Sequence, residues 1–411
     1  MTVNPFRIAW LACPVVITIL SVAPIRAQDD AAQDRTAPVG DEASEDAVED
    51  IAPVVAWTYD GDGASFDGVF VDHGVAYAID RKGRGRVHAI ETTTGKAIWV
   101  AHDIPMSYGY GIARSPNTEP DYVFVGCDNG LVALHRTTGK VAWHTKIDLG
   151  VAGPACTNDS VVAASADGNV YACNLRTGEI LWKQDYLDDA PGDPAGFRGD
   201  NARFGGKPAR PGGASTDGRI VAMSIFDQCR TIAFDAKSGE RLWSFPTHGW
   251  QYGEVRFDPR NAYFGSQDKH FYAVDKKRGK LVWKIESKAR VEAAGAPTRR
   301  ATYFGSCDGK LYAVDRVMGS IQWTCDAAGK GSPIYAAPAV VGDTVYFATL
   351  RPGKLYAVDR ERGELRWKLE PLADSEINSD VVTDGTLILV TTRRASEDKG
   401  KSAVIAIRTS R

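Results

Sequence analysis

The side chains of this 411-residue chain that could bind a metal or attack a substrate include seven histidines and seven cysteines. No two cysteines have the C-x-x-C spacing of redox sites or zinc ribbons, and no two histidines have a spacing typical of metal ligands. Ser215 and Ser224 lack the G-x-S-x-G elbow of a hydrolase, and the glycine pairs at 205–206 and 212–213 lack the Lys-Ser/Thr of a phosphate loop. We therefore expect no catalytic residue, no bound metal and no cofactor.

Carboxylates in two sequence patterns are better explained by turns than by chemistry. The segment 60–63, Asp-Gly-Asp-Gly, resembles part of a calcium-binding loop but lacks the remaining ligands of that loop. We interpret it as a surface loop. In a second pattern an aspartate comes four residues before a glycine, where its carboxylate can cap the backbone amides of a turn. The aspartates in this position are Asp235, Asp275, Asp315 and Asp359.

The elements that position all of these residues come from a repeat of about forty residues. Each copy contains an apolar strand, a tight turn, a second strand ending near Ala-Val-Asp, and a third strand that contains tryptophan; the clearest copies are 263–283 and 303–323. Apolar and polar residues alternate within the copies, which is the period of a β-strand. A period of about 40–45 residues with about four strands indicates a propeller blade.

Tryptophans mark eight copies of the repeat, and the two ends of the chain set the number of blades. The first tryptophan segment, 54–60, has no preceding strand partner, and the last copy, 381–411, has no tryptophan strand. We therefore predict an all-β fold, an eight-bladed β-propeller of four-stranded antiparallel blades, in which the N-terminal strand completes the C-terminal blade. The tryptophans predicted to pack between blades are Trp57, Trp99, Trp143, Trp182, Trp243, Trp283, Trp323 and Trp367.

The first fifty residues differ from the repeat domain in composition. Residues 1–27 combine Arg7, an apolar stretch and Ala27, the layout of a cleavable signal peptide; an uncleaved N-terminal membrane anchor is the alternative. Residues 28–50 hold nine acidic residues, one basic residue and no aromatic residue, a composition typical of a disordered linker. We expect the propeller domain at 51–411, with export to the periplasm or cell envelope of a bacterium.

The propeller domain is close to neutral, with 46 basic and 43 acidic residues. This balance argues against nucleic-acid binding through bulk charge. We expect a monomer. An exported chain can form disulfides, but the sequence leaves the pairing open. The cysteines outside the signal segment are Cys127, Cys156, Cys173, Cys229, Cys307 and Cys325.

The repeat unit, as in ALHRTTGKVAW (133–143) and YAVDKKRGKLVW (272–283), resembles the pyrroloquinoline-quinone (PQQ) repeat, and the resemblance extends over 54–408. It implies the propeller fold and two branches of function. Quinoprotein dehydrogenases hold a calcium and join two adjacent cysteines over the quinone, whereas no two cysteines of this chain are adjacent. The other branch consists of non-enzymatic propellers similar to the outer-membrane assembly factor BamB. The missing cysteine pair favours this second branch.

Departures from the repeat indicate where a partner could bind. The longest is 183–219, which mixes aromatic and cationic side chains, and the connection at 247–258 follows it around the ring. We predict a non-enzymatic scaffold for a protein partner in the cell envelope, and allow for peripheral association with a membrane. The alternatives are a PQQ-dependent oxidoreductase and a carbohydrate-binding sensor. The predicted contact residues are Arg198, Arg203, Phe204, Trp250 and Tyr252.

Overall fold

Antiparallel β-strands account for almost all regular structure in the described residues, and one short 3₁₀ turn, Phe226–Gln228, is the exception. The computed structural model describes residues 53–104, 112–114, 121–187, 211–326, 328–329, 331–377, 379–394 and 401–409. They belong to one compact unit, Asp50–Arg411. Within these ranges, no helix is long and apolar enough to cross a membrane.

Eight sheets follow one another around a ring, and each is one blade. We label the strands of a blade a to d, from the ring axis outward. Blade 1 consists of β2 (Phe66–Asp72), β3 (Val75–Asp80), β4 (Arg86–Glu91) and β5 (Ala97–His102). Blade 2 consists of β6 (Ile112–Arg114), β7 (Tyr122–Cys127), β8 (Gly130–His135) and β9 (Val141–Lys146). Blade 3 consists of β10 (Ala155–Cys156), β11 (Ser160–Ala164), β12 (Asn169–Asn174) and β13 (Ile180–Asp185).

The next four blades repeat this order. Blade 4 consists of β14 (Ser215–Thr216), β15 (Ile220–Ile225), β16 (Arg230–Asp235) and β17 (Arg241–Pro246). Blade 5 consists of β18 (Arg256–Phe257), β19 (Asn261–Gly265), β20 (His270–Asp275) and β21 (Leu281–Glu286). Blade 6 consists of β22 (Ala296–Pro297), β23 (Ala301–Gly305), β24 (Leu311–Asp315) and β25 (Ile321–Cys325). Blade 7 consists of β26 (Ala339–Val341), β27 (Thr344–Ala348), β28 (Leu355–Asp359) and β29 (Leu365–Leu369).

Blade 8 joins the two ends of the propeller, as the sequence predicts. It consists of β31 (Val382–Thr383), β32 (Leu387–Arg394), β33 (Ala403–Arg408) and β1 (Val55–Tyr59), and β30 (Ser375–Ile377) also pairs with β32. The d strand of this blade is therefore the N-terminal strand β1, which pairs with β33 from Val55 opposite Ile407 to Tyr59 opposite Val404. The predicted eight-bladed fold and its closure are confirmed.

The apolar core is divided among the junctions between blades, because each blade is covered on both faces by its neighbours. Eight clusters of buried side chains lie at the eight junctions. The b strands of blades 3 to 7 are accordingly buried along their whole length, as in β23 and β27. The outer d strands alternate between buried and exposed positions, as in β21. Each blade therefore buries its apolar faces against two neighbours, and closing the ring covers the faces that the end blades would otherwise expose.

A tryptophan on the d strand of one blade packs on the c–d turn of the next blade. In seven junctions its Nε1–H donates to a turn carbonyl, at N···O distances of 2.7 to 3.2 Å. The turn glycine three residues later has a positive φ, and a Cβ built on it would lie 2.5 to 2.7 Å from the indole. The tryptophans are Trp57, Trp99, Trp143, Trp182, Trp243, Trp283 and Trp323; Trp367 packs in the core cluster between blades 7 and 8.

The c–d turns are also capped in the way that the sequence indicates. The Asp315 carboxylate accepts hydrogen bonds from the backbone amides of Val317 and Met318, at 2.9 and 2.7 Å. Asp235, Asp275 and Asp359 make the same pair of bonds in their own turns. In blade 3 the side-chain oxygen of Asn174 takes this place. These aspartates therefore stabilise turns.

Candidate functional site

The propeller has two faces that differ in the kind of turn they present. Because neighbouring strands are antiparallel, the b–c turns and the connections between blades open on one face, here called the connection face. The a–b and c–d turns open on the opposite face, here called the turn face. Around blade 4, the connection face includes 226–229 and 247–255, and the turn face includes 217–219 and 236–240.

A central channel with a volume of about 1240 Å³ runs inside the ring of a strands. Its described wall carries more carboxylates than cations. The acidic residues are Asp67, Asp217, Glu254, Asp258, Glu292 and Asp380, and the basic residues are Arg256, Lys276 and Arg393. The described part of the channel wall is therefore formally negative at neutral pH.

Arg256 forms an ionic bridge inside the channel, between blades 5 and 8. Its Nη2 lies 3.2 Å from Glu254 Oε2 and 3.1 Å from Asp380 Oδ2. The other oxygen of Asp380 accepts a hydrogen bond from the Ala337 amide of blade 7, at 2.8 Å. The carboxylate of Glu254 raises the pKa of Arg256 further, while burial and the Asp380 charge raise the pKa of Glu254 against the opposing effect of Arg256. The bridge links three blades across the channel.

Three aromatic side chains form a cluster at the connection-face mouth of this channel. The ring centroids of Phe226 and Tyr252 lie 4.7 Å apart, and those of Trp250 and Tyr252 lie 6.1 Å apart at 72°. Tyr252 is 42% exposed, and Phe226 and Trp250 are partly buried. We call Phe226, Trp250 and Tyr252 the aromatic cluster. It offers a rigid apolar surface next to the charged bridge.

A buried amide holds two members of the aromatic cluster in place. Gln251, between Trp250 and Tyr252, is fully buried; its Oε1 accepts from Thr231 Oγ1 at 2.7 Å and its Nε2 donates to Thr247 Oγ1 at 3.1 Å. The Trp250 carbonyl also accepts from the Gln267 amide at 2.8 Å. Because its backbone and central side chain are fixed, this connection presents its aromatic residues with little conformational freedom to lose on binding.

The long segment between blades 3 and 4 begins beside the c strand of blade 4 and ends beside Phe226 of the aromatic cluster. At its start, the Tyr186 carbonyl accepts a hydrogen bond from Arg230 Nη2 at 2.8 Å. At its end, Pro211 bridges to Ile225, and the Gly212 amide donates to the Ser224 carbonyl at 2.7 Å. The predicted contact residues Arg198, Arg203 and Phe204 lie in 188–210, outside the described residues.

The sequence analysis named Trp250 and Tyr252, which lie together in the structure, but it missed two other features of this mouth. Phe226 belongs to a b–c turn of blade 4, which the repeat treats as ordinary; a break in the usual Asp-Gly turn pattern was the available signal. Asp380 lies 124 positions from its partner Arg256, and no local pattern marks the pair. Contacts across the channel depend on the ring closing, so they are visible only in three dimensions.

A second polar cluster lies at the junction of blades 8 and 1, where the ring closes. Tyr59 Oη and His88 Nδ1 are 2.9 Å apart, and His88 Nε2 lies 3.4 Å from Asp80 Oδ2. Burial opposes ionisation of Asp80, but hydrogen bonds with His88, with two backbone amides and with Arg86 hold its pKa well below the usual range. The contacts that run from Asp80 through His88 end at Tyr59, whose pKa is raised by burial, and not at a nucleophile. We interpret this cluster as a closing clasp.

The cysteines of the propeller are present as thiols. Burial raises the pKa of Cys127 to about 12 and that of Cys173 to about 11, so neither is a nucleophile near neutral pH. In the part of the chain that the structure describes, no three His, Cys, Asp or Glu side chains are grouped to hold a metal ion.

Comparisons with known proteins extend over most of the propeller. Residues 83–224 and 227–410 match the family described as outer membrane protein assembly factor BamB. The chain is 24% identical over 230 residues to the outer membrane protein assembly factor BamB of Yersinia pestis, an alignment that covers 51% of this chain and 54% of that protein. It is 27% identical over 160 residues to the serine/threonine-protein kinase AfsK of Streptomyces coelicolor, covering 39% of this chain and 17% of the kinase.

Solved structures share the fold at lower identity. The crystal structure of BamB from Moraxella catarrhalis superposes with a TM-score of 0.65 and 15% identity, covering 87% of this chain and 98% of that one. The quinohemoprotein alcohol dehydrogenase of Comamonas testosteroni superposes with a TM-score of 0.64 and 14% identity, covering 87% of this chain and 77% of that one. These two similarities establish only the propeller. The sequence match over residues 83–224 and 227–410 identifies the family: the chain belongs to the PQQ-repeat propeller family described as outer membrane protein assembly factor BamB.

Proposed function

We propose that this protein is a non-enzymatic scaffold of the bacterial cell envelope that binds a protein partner at the connection-face mouth of its channel. The observation that carries the proposal is the aromatic cluster of Phe226, Trp250 and Tyr252, which is partly exposed and rests on the buried hydrogen bonds of Gln251. We include Arg198, Arg203 and Phe204, predicted from sequence, in the same proposed contact surface, because their segment ends at Pro211 and Gly212, beside Phe226.

The family supports a partner that is a protein of the envelope. Two of the relatives are BamB proteins, and the description of the matched family refers to the assembly of outer membrane proteins. We transfer from this name only the class of function, a binding role in the envelope. Export through a signal peptide at 1–27, followed by a linker at 28–50, is part of the proposal.

The chemistry of the mouth suits a polypeptide. Aromatic side chains supply a large contact area with few rotatable bonds, and they dominate the binding energy of protein interfaces. The bridge of Glu254, Arg256 and Asp380 lies deeper in the same channel and adds polar groups that can orient a peptide backbone. An extended segment or loop of the partner that ends in the mouth would contact both.

A quinone-dependent oxidoreductase is the alternative within this fold, and the channel does not fit its cofactor. PQQ is a polycarboxylate, whereas the described channel wall carries six carboxylates and three cations. Arg256 is engaged by Glu254 and Asp380, so binding of an anion there would require the loss of these ion pairs. The chain also has no adjacent cysteines. We therefore derive no reaction through this cofactor.

The test is recovery of partners from envelope extracts by the purified protein. The Tyr252→Ala variant removes the most exposed member of the cluster and should weaken binding by about 2 kcal/mol, roughly thirtyfold. The matched control is Leu365→Ala, which removes an exposed apolar side chain from the outer strand β29 and should bind as the unchanged protein does. If both variants recover the partner equally well, the connection-face mouth is not the binding site.

A deletion tests the contribution of the long segment. Pro211–Gly213 should be kept, because this stretch makes backbone hydrogen bonds to Ile225 and Ser224. Removal of 190–208 should leave the melting temperature unchanged and abolish partner recovery, since loop length itself contributes little to stability. Reconstitution with PQQ and calcium, followed by dye reduction, tests the alternative: stoichiometric binding with turnover of an alcohol would contradict the scaffold.

A further inference from the structure

The turn face carries a concentration of positive charge on two adjacent blades. The a–b and c–d turns of blades 5 and 6, residues 258–261, 275–280, 298–301 and 315–320, hold eight basic and three acidic residues. The same two turns of blade 7, residues 342–344 and 359–364, hold two basic and four acidic residues. The charge is therefore a local feature of blades 5 and 6 and not a property of the repeat.

The carboxylates in these turns are already engaged. Asp258 pairs with Arg316 and accepts from Tyr263 Oη, and Asp275 and Asp315 cap their own turns. Six cations remain exposed to solvent, and we call them the basic patch: Arg260, Lys277, Arg278, Lys280, Arg299 and Arg300. Among these six described side chains, only Arg278 makes an ion pair, with its Nη1 4.0 Å from Asp275 Oδ2.

The basic patch is one continuous surface, because its turns are bonded to one another. The Lys276 amide donates to the Arg260 carbonyl and the Arg316 amide donates to the Arg300 carbonyl, both at 3.0 Å. The ion pair between Arg316 and Asp258 then joins blade 6 to blade 5. The relative positions of the cations are therefore fixed by the scaffold.

Exposed aliphatic side chains lie among these cations. Val317 and Met318, at the tip of the blade 6 turn, are 60% and 76% exposed. Leu281, Val282 and Ile321, where the d strands leave the same turns, are also exposed. Two large apolar side chains at the tip of a turn, next to the Lys and Arg side chains of blades 5 and 6, form a combination by which protein surfaces insert into the headgroup region of a membrane.

We propose that the basic patch, with Val317 and Met318 at its tip, binds the surface of a lipid membrane that contains anionic phospholipids. The cations approach the phosphate groups while the two aliphatic side chains enter the interfacial layer. A purely acidic polypeptide would be attracted by the cations alone and gives no reason for the exposed Val-Met tip. The patch lies on the turn face, so a membrane bound there leaves the connection-face mouth open to a protein partner.

Vesicle flotation of the purified full chain tests the proposal. The probe is vesicles of phosphatidylglycerol with phosphatidylethanolamine, compared with vesicles of phosphatidylcholine alone. The patch variant carries Lys277→Glu, Arg278→Glu, Arg299→Glu and Arg300→Glu. Its control carries Lys140→Glu, Arg176→Glu, Lys237→Glu and Arg362→Glu, which reverse one exposed cation in the c–d turns of blades 2, 3, 4 and 7. Both variants have the same net charge and the same N-terminal segment.

We expect the patch variant to partition at least about tenfold more weakly onto the anionic vesicles than the control does. The double variant Val317→Ser and Met318→Ser should bind normally at low salt and lose its remaining binding at high salt, where the charges are screened. Melting temperatures should be unchanged, since all of these side chains are exposed. Equal partitioning of the patch and control variants would overturn the proposal. So would binding to soluble polyglutamate without binding to vesicles, which would identify an acidic polypeptide as the occupant.

Discussion

The seven tryptophan junctions and the connection-face mouth use the same kind of side chain for opposite purposes. In a junction, as at Trp243, the indole donates to a turn carbonyl of the next blade and covers a glycine of that turn. At the mouth, Trp250 lies outside the repeat register and contacts Tyr252 at the end of the channel. Regular repetition marks residues that hold the ring together, and we propose that departure from it marks residues that contact a partner.

Truncation of one tryptophan from each region gives the largest expected contrast. Trp243→Ala should lower the free energy of unfolding by about 3–5 kcal/mol, because it leaves a cavity between blades 4 and 5 and an unbonded Lys276 carbonyl. Trp250→Ala should cost about 1 kcal/mol or less and reduce partner recovery instead. Denaturant unfolding of the two variants measures this difference. Comparable losses would mean that the mouth is part of the core.

The turn glycines provide a sharper test of the junction, within a single blade. An alanine Cβ at Gly363 would lie 2.5 Å from the Trp323 ring, whereas one at Gly342 would have nothing within 4 Å, and both glycines have a positive φ. Gly363→Ala should cost about 3 kcal/mol, and Gly342→Ala only about 1 kcal/mol for the left-handed backbone. Thermal unfolding of the two proteins separates the contact from the backbone strain. If the two variants melt together, tryptophan packing does not require glycine.

The junction that closes the ring contains a fully buried carboxylate, that of Asp80, and its stability should respond to pH. The folded pKa of Asp80 lies below its unfolded value near 4, so its contribution to stability is complete above the unfolded pKa and is lost as pH falls through the folded pKa. Asp80→Asn should cost about 2 kcal/mol at neutral pH. The difference between the two proteins should shrink as the solution is acidified. If the difference in stability stays constant as the pH falls, the charge of Asp80 does not contribute to the stability of this junction.

Loss of a turn cap should have the smallest effect on stability, and another turn of this chain shows which residue should restore it. Asp315→Ala should cost about 1 kcal/mol, because it leaves the Val317 and Met318 amides without the carboxylate. Asp315→Asn should recover most of this loss, since Asn174 makes the same two bonds in blade 3. Melting temperatures of the two variants against the unchanged protein provide the measurement. An Asn variant as unstable as the Ala variant would mean that the charge, and not the acceptor, is required.

The parts of the fold that could be predicted are those that one repeat already contains. The spacing of Trp, Asp and Gly is local, so it indicates the strands, the c–d turns and the blade count, and the incomplete first and last copies indicate the closure by β1. The bridge from Arg256 to Asp380 could not be found this way, because the two residues meet only when three blades are in place. The basic patch was hidden for a different reason: the overall charge of the domain is nearly zero, and the asymmetry arises from which turns share a face.

The pairing of β1 with β33 also has a consequence for how the chain reaches its final state. Blade 8 contains strands from both ends of the propeller, and Val55 of β1 lies opposite Ile407 of β33. Seven blades can form in order during synthesis of the chain. Blade 8 forms last, because it needs residues up to 408, and the pairing of its two most distant strands closes the ring. A chain halted during synthesis would lack β33, so β1 would have no strand to pair with. Incomplete chains would therefore expose an unpaired strand to quality-control proteases, whereas complete chains have that strand paired.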